Sequence, residues 1–136
     1  MNGKSLDAGL LVLRLGLGGM FIAHGWPKLA GGAAKWAKLG TAMGHLGIDV
    51  WPTMWGFLAA MSETLGGLLF AVGMLFRPAT AMLLATMFVA TFTHLGKGDG
   101  IMGASHAIEM GIVFAAMLLV GPGAFALDEK LGFGRK

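Results

Sequence analysis

The chain has 136 residues, 56% of them hydrophobic and only 12% charged, against about 25% charged in a soluble domain. A net charge of +3 is spread over loops and ends, which excludes a nucleic-acid patch. The absence of cysteine excludes disulfides, thiol catalysis, thiolate-held iron–sulfur clusters and c-type haem attachment.

With a mean hydropathy of +0.74, 24 Gly and no Tyr, the chain reads as an integral membrane protein whose small residues let helices approach closely. Its length suits one domain over residues 1–136. Four apolar stretches run from about Leu6 to Gly25, Thr53 to Phe76, Ala79 to Leu95 and Ser105 to Val120. Each approaches or exceeds the roughly 17–25 residues that cross a bilayer. Asp7 and Arg14 interrupt the first stretch, and bulky Trp26 follows Ala23-His24-Gly25, so no cleaved signal peptide is expected and the first helix stays in place.

Between the first and second stretches, Trp36, Leu39, Met43 and Leu46 recur at helical spacing, with Lys35, Lys38 and His45 off the stripe. Flanked by Trp26 and Trp51, this segment is expected to form a short amphipathic helix in the interface plane. Pro78 is expected to leave almost no loop between the second and third helices. Gly96 to Gly103 reads as a glycine-rich turn, and Gly121-Pro122-Gly123 ends the fourth helix. The predicted fold is therefore all-α: an integral membrane four-helix bundle with a short interfacial amphipathic helix between helices 1 and 2. Lys4, Arg77, Lys130, Arg135 and Lys136 lie on the side of the termini, against Lys28, Lys35, Lys38 and Lys97 on the other, a narrow margin that leans to cytoplasmic termini.

Ionisable residues inside these stretches are costly and point to pairing or chemistry. Alternating topology places Arg14 and Glu63 about five residues apart in depth, roughly 7–8 Å, so the two are expected to face the bundle interior and pair. Such a pair reads as a staple between helices or as a proton or anion site. A second group is expected at the opposite end. His24 and Lys28 are i and i+4, His94 ends the third helix, and His106 and Glu109 are i and i+3. Convergence of His24, His94, His106 and Glu109 on one cavity, with Lys28 at its rim, would suit a metal ion, a proton relay or a polar lid over a redox ligand. The opposing reading is that interfacial histidines simply hydrate. The eleven Met residues are scattered and read as bundle packing rather than as a copper box.

Several motifs in order along the chain carry a family likeness. They are Arg14-Leu15-Gly16, Phe21, His24-Gly25 before Lys28-Leu29, Glu63-Thr64-Leu65-Gly66-Gly67, Gly73, Arg77-Pro78-Ala79, and Gly121-Pro122-Gly123 leading to Leu127-Asp128. In these the chain resembles the DoxX family of small bacterial membrane proteins. The resemblance implies a four-helix bundle of the bacterial inner membrane, multi-pass, with Arg14, Lys28, Glu63, Arg77 and Asp128 as the polar signature. It also implies a link to oxidative or quinone stress, or to sulfur-compound oxidation, and work with a soluble or membrane redox partner.

Three functions stay open. The first is a quinone-linked redox protein, with Arg14, Glu63, His94 and Glu109 in catalysis and His24, Lys28 and His106 binding the cofactor. Its quinone or metal ion would receive electrons from a partner, because no motif here supplies them. The second is a small-solute or ion permease, assembled as a homo-oligomer. The third is a scaffold in the lipid bilayer that anchors soluble redox partners.

Overall fold

The computed structural model describes residues 3–133, which are helical throughout except for short turns. Arg135 and Lys136, counted above for orientation, lie outside the described residues. Helix α1 spans Gly3–Leu29, α2 Gly32–Gly40, and a 3-10 segment Thr41–Leu46 follows. The second span is built from α3 (Pro52–Met61), a π turn (Ser62–Gly66) and α4 (Gly67–Val72). Then come α5 (Phe76–Gly96), α6 (Gly100–Val120) and the short α7 (Leu127–Leu131). Four helical stretches, Gly3–Leu29, Pro52–Val72, Phe76–Gly96 and Gly100–Val120, are long and apolar enough to cross a membrane. The protein is an all-α, multi-pass membrane bundle.

Helix ends differ from the sequence expectation in informative ways. α1 carries Pro27 and runs on to Leu29. The turn between the second and third spans is Gly73 to Leu75, and Pro78 sits in the first turn of α5, where its missing N–H costs nothing. α6 starts at Gly100, so the turn before it is only Lys97 to Asp99.

The contact between α1 and the second span is set by glycines. A Cβ on Gly18 would lie 2.6 Å from the Gly67 carbonyl oxygen, and one on Gly25 would lie 2.6 Å from the Thr64 backbone nitrogen. The helices therefore touch backbone to backbone, as small residues allow in membranes. A helix does form over the Trp36 stripe, with Met43 and Leu46 in the 3-10 segment, but instead of lying in the interface plane it docks antiparallel along α3, the first part of the second span. A Cβ on Gly40 would strike Pro52, and one on Gly56 would strike the Trp36 backbone. Trp36 also stacks edge-on against Phe57, with centroids 4.9 Å apart, and donates its indole N–H to the Lys28 carbonyl.

The core centres on aromatic rings. Phe21 meets Phe114 edge-on at 5.1 Å, Phe70 stacks on Phe76 at 5.1 Å, and Phe70 meets Phe114 edge-on at 5.4 Å. The end of the bundle nearest the termini is closed by hydrogen bonds to the segment after α6. Ala124 N–H donates to Asp7 Oδ1 (2.9 Å), and Arg14 Nη2 donates to the Phe125 carbonyl (3.2 Å). Leu75 adopts a left-handed conformation (φ 45°), unusual for a branched side chain. Its N–H donates to Asp128 Oδ1 (2.9 Å) and that of Phe76 to Asp128 Oδ2 (2.8 Å), while Asp128 N–H returns to the Gly73 carbonyl. One carboxylate thus caps α5 and holds the turn.

Replacing Asp128 by Ala leaves two inward N–H groups without an acceptor. The expected cost is about 1–3 kcal/mol. Thermal unfolding in detergent, followed by helical circular dichroism, should show a lower midpoint for Asp128→Ala and a smaller loss for Asp128→Asn. An unchanged midpoint for Asp128→Ala would refute the capping role.

Candidate functional site

Between α3 and α5 the bundle does not close. α5 packs on the π turn and on the 3-10 segment, and the space left between its outer half and α3 is a cavity of about 500 Å³. That lies within the roughly 300–1,000 Å³ of small-molecule sites. Leu39, Met43, Leu58, Met82, Val89 and Ala90 give it apolar walls. Its roof is the 3-10 segment, brought down onto the end of α5 where Gly96 lacks a side chain that would strike the His45 ring.

Few polar groups face this space. At its inner end, Lys28 Nζ donates to both oxygens of Glu63, at 2.9 Å and 2.6 Å. The Glu63 side chain is 8% exposed and that of Lys28 33%. Glu63 stands in the π turn, a local widening of the helix that recurs at functional positions. Ser62, next to it, accepts a hydrogen bond from Thr86 of α5 (2.9 Å), tying the turn to α5. Trp55 also lines this space, and its indole N–H is buried with no partner among the described residues. At the outer end His94 Nδ1 lies 2.8 Å from Asp99 Oδ2.

Lys28 and Glu63 therefore meet, and so do His94 and the cavity that holds them. Arg14 and Glu63 do not. Arg14 is buried (1% exposed), as expected, but its one hydrogen bond goes to Phe125, and its Nε and Nη1 have no partner among the described residues. The glycine contacts show why. Gly25 lies level with Glu63, whereas Arg14 lies level with Gly73. Eleven residues of α1 separate Arg14 from Gly25, roughly 16 Å, rather than the 7–8 Å expected from segment centres. The partner of Glu63 is the residue one turn past Gly25, Lys28.

The expected convergence of His24, His94, His106 and Glu109 is also corrected. His24, His106 and Glu109 are exposed on the outer faces of α1 and α6, and of the four only His94 reaches the cavity. No three His, Asp or Glu among the described residues stand close enough to hold a metal ion, so the four do not form a metal site within one chain. The i, i+3 spacing did put His106 and Glu109 on one face, but that face turns away from the bundle. Trp55, Ser62, Thr86 and Asp99 went unsingled in the sequence. They belong to no motif, and only the tertiary fold gives them a shared space.

The DoxX family model matches residues 9–96, well over half of the chain. No curated protein and no solved structure matches it. The chain belongs to the DoxX family. The matched stretch runs from Gly9 of α1 to the end of α5, holds every residue lining this cavity, and ends before α6.

Removing Lys28 would leave Glu63 facing the cavity without its cation. Because Lys28 is one-third exposed, Lys28→Met is expected to cost about 1–3 kcal/mol, less than the rule for fully buried pairs. The double variant Lys28→Met/Glu63→Leu should recover most of that loss. Melting in detergent of the two single variants and the double variant checks this; additive losses would show that the pair is not coupled.

Proposed function

Taking membership of the DoxX family as the starting point, we propose that this bundle binds a flat, lipid-soluble redox ligand of the quinone type between α3 and α5. In this reading it works with a separate electron-carrying partner at a bacterial inner membrane. The observation that carries the reading is the cavity itself: apolar walls, a lining Trp55 whose buried indole N–H has no partner among the described residues, and a buried carboxylate paired with a partly exposed ammonium at its inner end.

The residues suit such a ligand. Leu58, Met82 and Val89 would clasp a planar ring and keep water from it. Trp55 Nε1 offers a donor for a ring oxygen and gains the partner it lacks. A quinone supplies reversible carriage of electrons together with protons. Proton handling falls to the chain: Glu63 can hold a proton on Oε2 when Lys28 releases it, and the Lys28 ammonium is a donor in its own right. His94 and Asp99 stand at the outer end, their side chains 2.8 Å apart, between the cavity and water. The chain has no cysteine to hold an iron–sulfur cluster, so electrons would come from the partner. The His24/His94/His106/Glu109 set, for which a metal ion was one of three readings, does not gather within the chain, and no step is assigned to a metal.

Binding of a short-chain quinone to the purified protein in detergent, measured by equilibrium dialysis, tests the proposal. Saturable binding is expected, weakened about tenfold by Trp55→Phe and by Glu63→Gln, the scale of one lost buried hydrogen bond. Ala59→Phe, which fills the cavity, should abolish it. Binding no greater than partition into empty micelles, or binding indifferent to Ala59→Phe, would sink the reading.

A further inference from the structure

The outer face of α6 carries two ionisable side chains that the bundle leaves without partners. Glu109 stands nine residues into a 21-residue helix, about 13 Å from its start and close to mid-span. It is exposed, as is His106 one turn earlier, and neither makes an ion pair or hydrogen bond with a described residue. A carboxylate facing hydrocarbon at that depth is costly, and the cost is normally removed by a polar partner. By contrast, Lys28, Glu63 and Arg14 are all turned inward or paired.

The two groups lie on a regular seam. Met102, His106, Glu109, Val113, Ala116 and Val120 are spaced 4, 3, 4, 3 and 4 residues apart, the heptad pattern of helices that pack knobs into holes. Five of the six are exposed and only Val113 leans against the core, so the described residues leave most of the seam uncovered. Helices in membranes associate in this left-handed geometry, and hydrogen-bonding side chains across the seam fix register and partner.

We propose that this seam is the interface between two copies of the chain, with the His106 ring N–H of each copy donating to the partner's Glu109. The complementarity is built into one face. His106 is the donor and Glu109 the acceptor, about 4.5 Å apart along the axis. Two copies share one orientation in the membrane, so a two-fold axis along the membrane normal sets the α6 helices parallel. Each donor then lies one turn from the facing acceptor, and two equivalent bonds form. The remaining seam residues are apolar, with Ala116 small enough for close approach. The cavity opens between α3 and α5, away from this face, so the interface would leave it free.

The chain has no cysteine, so single-cysteine variants report self-contact directly. In liposomes at high lipid-to-protein ratio, Ala116→Cys should form a disulfide-linked dimer under mild oxidation. Val12→Cys, also exposed but on α1 and off the seam, should stay unlinked. His106→Ala and Glu109→Ala should each weaken dimerisation of the full chain in mild detergent roughly tenfold. The exchanged variant His106→Glu/Glu109→His should restore it. Because all these side chains are exposed, unchanged helical circular dichroism will separate loss of association from loss of fold. Equal linking at both cysteines, a monomer in bilayers, alanine variants that dimerise as well as the wild type, or no rescue on exchange would each overturn the proposal. So would Glu109→Ala releasing a different membrane protein from an otherwise monomeric chain.

Discussion

The register between α1 and the second span governs where every polar group of the bundle can act. Gly18 and Gly25 bring the two backbones together so closely that neither helix can slide or turn without a side chain entering the other's backbone. With that seam fixed, Lys28 comes to rest against Glu63 and Arg14 comes to rest beside Gly73 and the segment after α6. In hydrocarbon the placement matters more than in water, since an unpaired charge there has no solvent to fall back on. A glycine contact with no chemistry of its own thus decides which acid meets which base.

The bundle's two ends are built differently. Near the termini, Asp7, Arg14 and Asp128 are each tied to backbone groups of distant segments, and the aromatic core of Phe70, Phe76 and Phe114 lies nearby. Toward the other end the second span widens into a π turn at Ser62–Gly66, α3 beyond it stands apart from α5, and the polar groups there face a cavity instead of a backbone. A rigid base and an open upper half are what a binding site needs from its scaffold: the base keeps the donors aimed, and the opening admits the ligand.

Much of this was legible in the sequence, and the remainder failed for identifiable reasons. Four spans and an intervening helix follow from hydropathy and from the Trp36/Leu39/Met43 spacing, because a helix is the only way a single segment can satisfy its backbone in lipid. Burial of Arg14 and Glu63 was equally readable, since charge in a span must turn inward or pair. Their pairing was not, because depth taken from segment centres ignores the stagger that Gly18 and Gly25 impose. The outward turn of His106 and Glu109 was hidden for another reason. In a soluble helix the apolar stripe reveals which face is inside, but in a membrane both faces are apolar and the sequence does not mark the rotation. Trp55 became visible only when its N–H was found without an acceptor.

Asp128 carries a consequence for the order in which the bundle can be completed. The turn joining α4 to α5 contains Leu75 in a left-handed conformation that a leucine does not hold readily by itself. The carboxylate that steadies it lies more than fifty residues later, beyond α6. During synthesis the second and third spans must therefore enter the bilayer with their connecting turn unsecured. Only when α6 has crossed and the following segment has returned to the same surface can Asp128 reach the two waiting N–H groups. The hairpin is made early and latched late, so its earlier spans remain free to adjust against one another until the last span is in place.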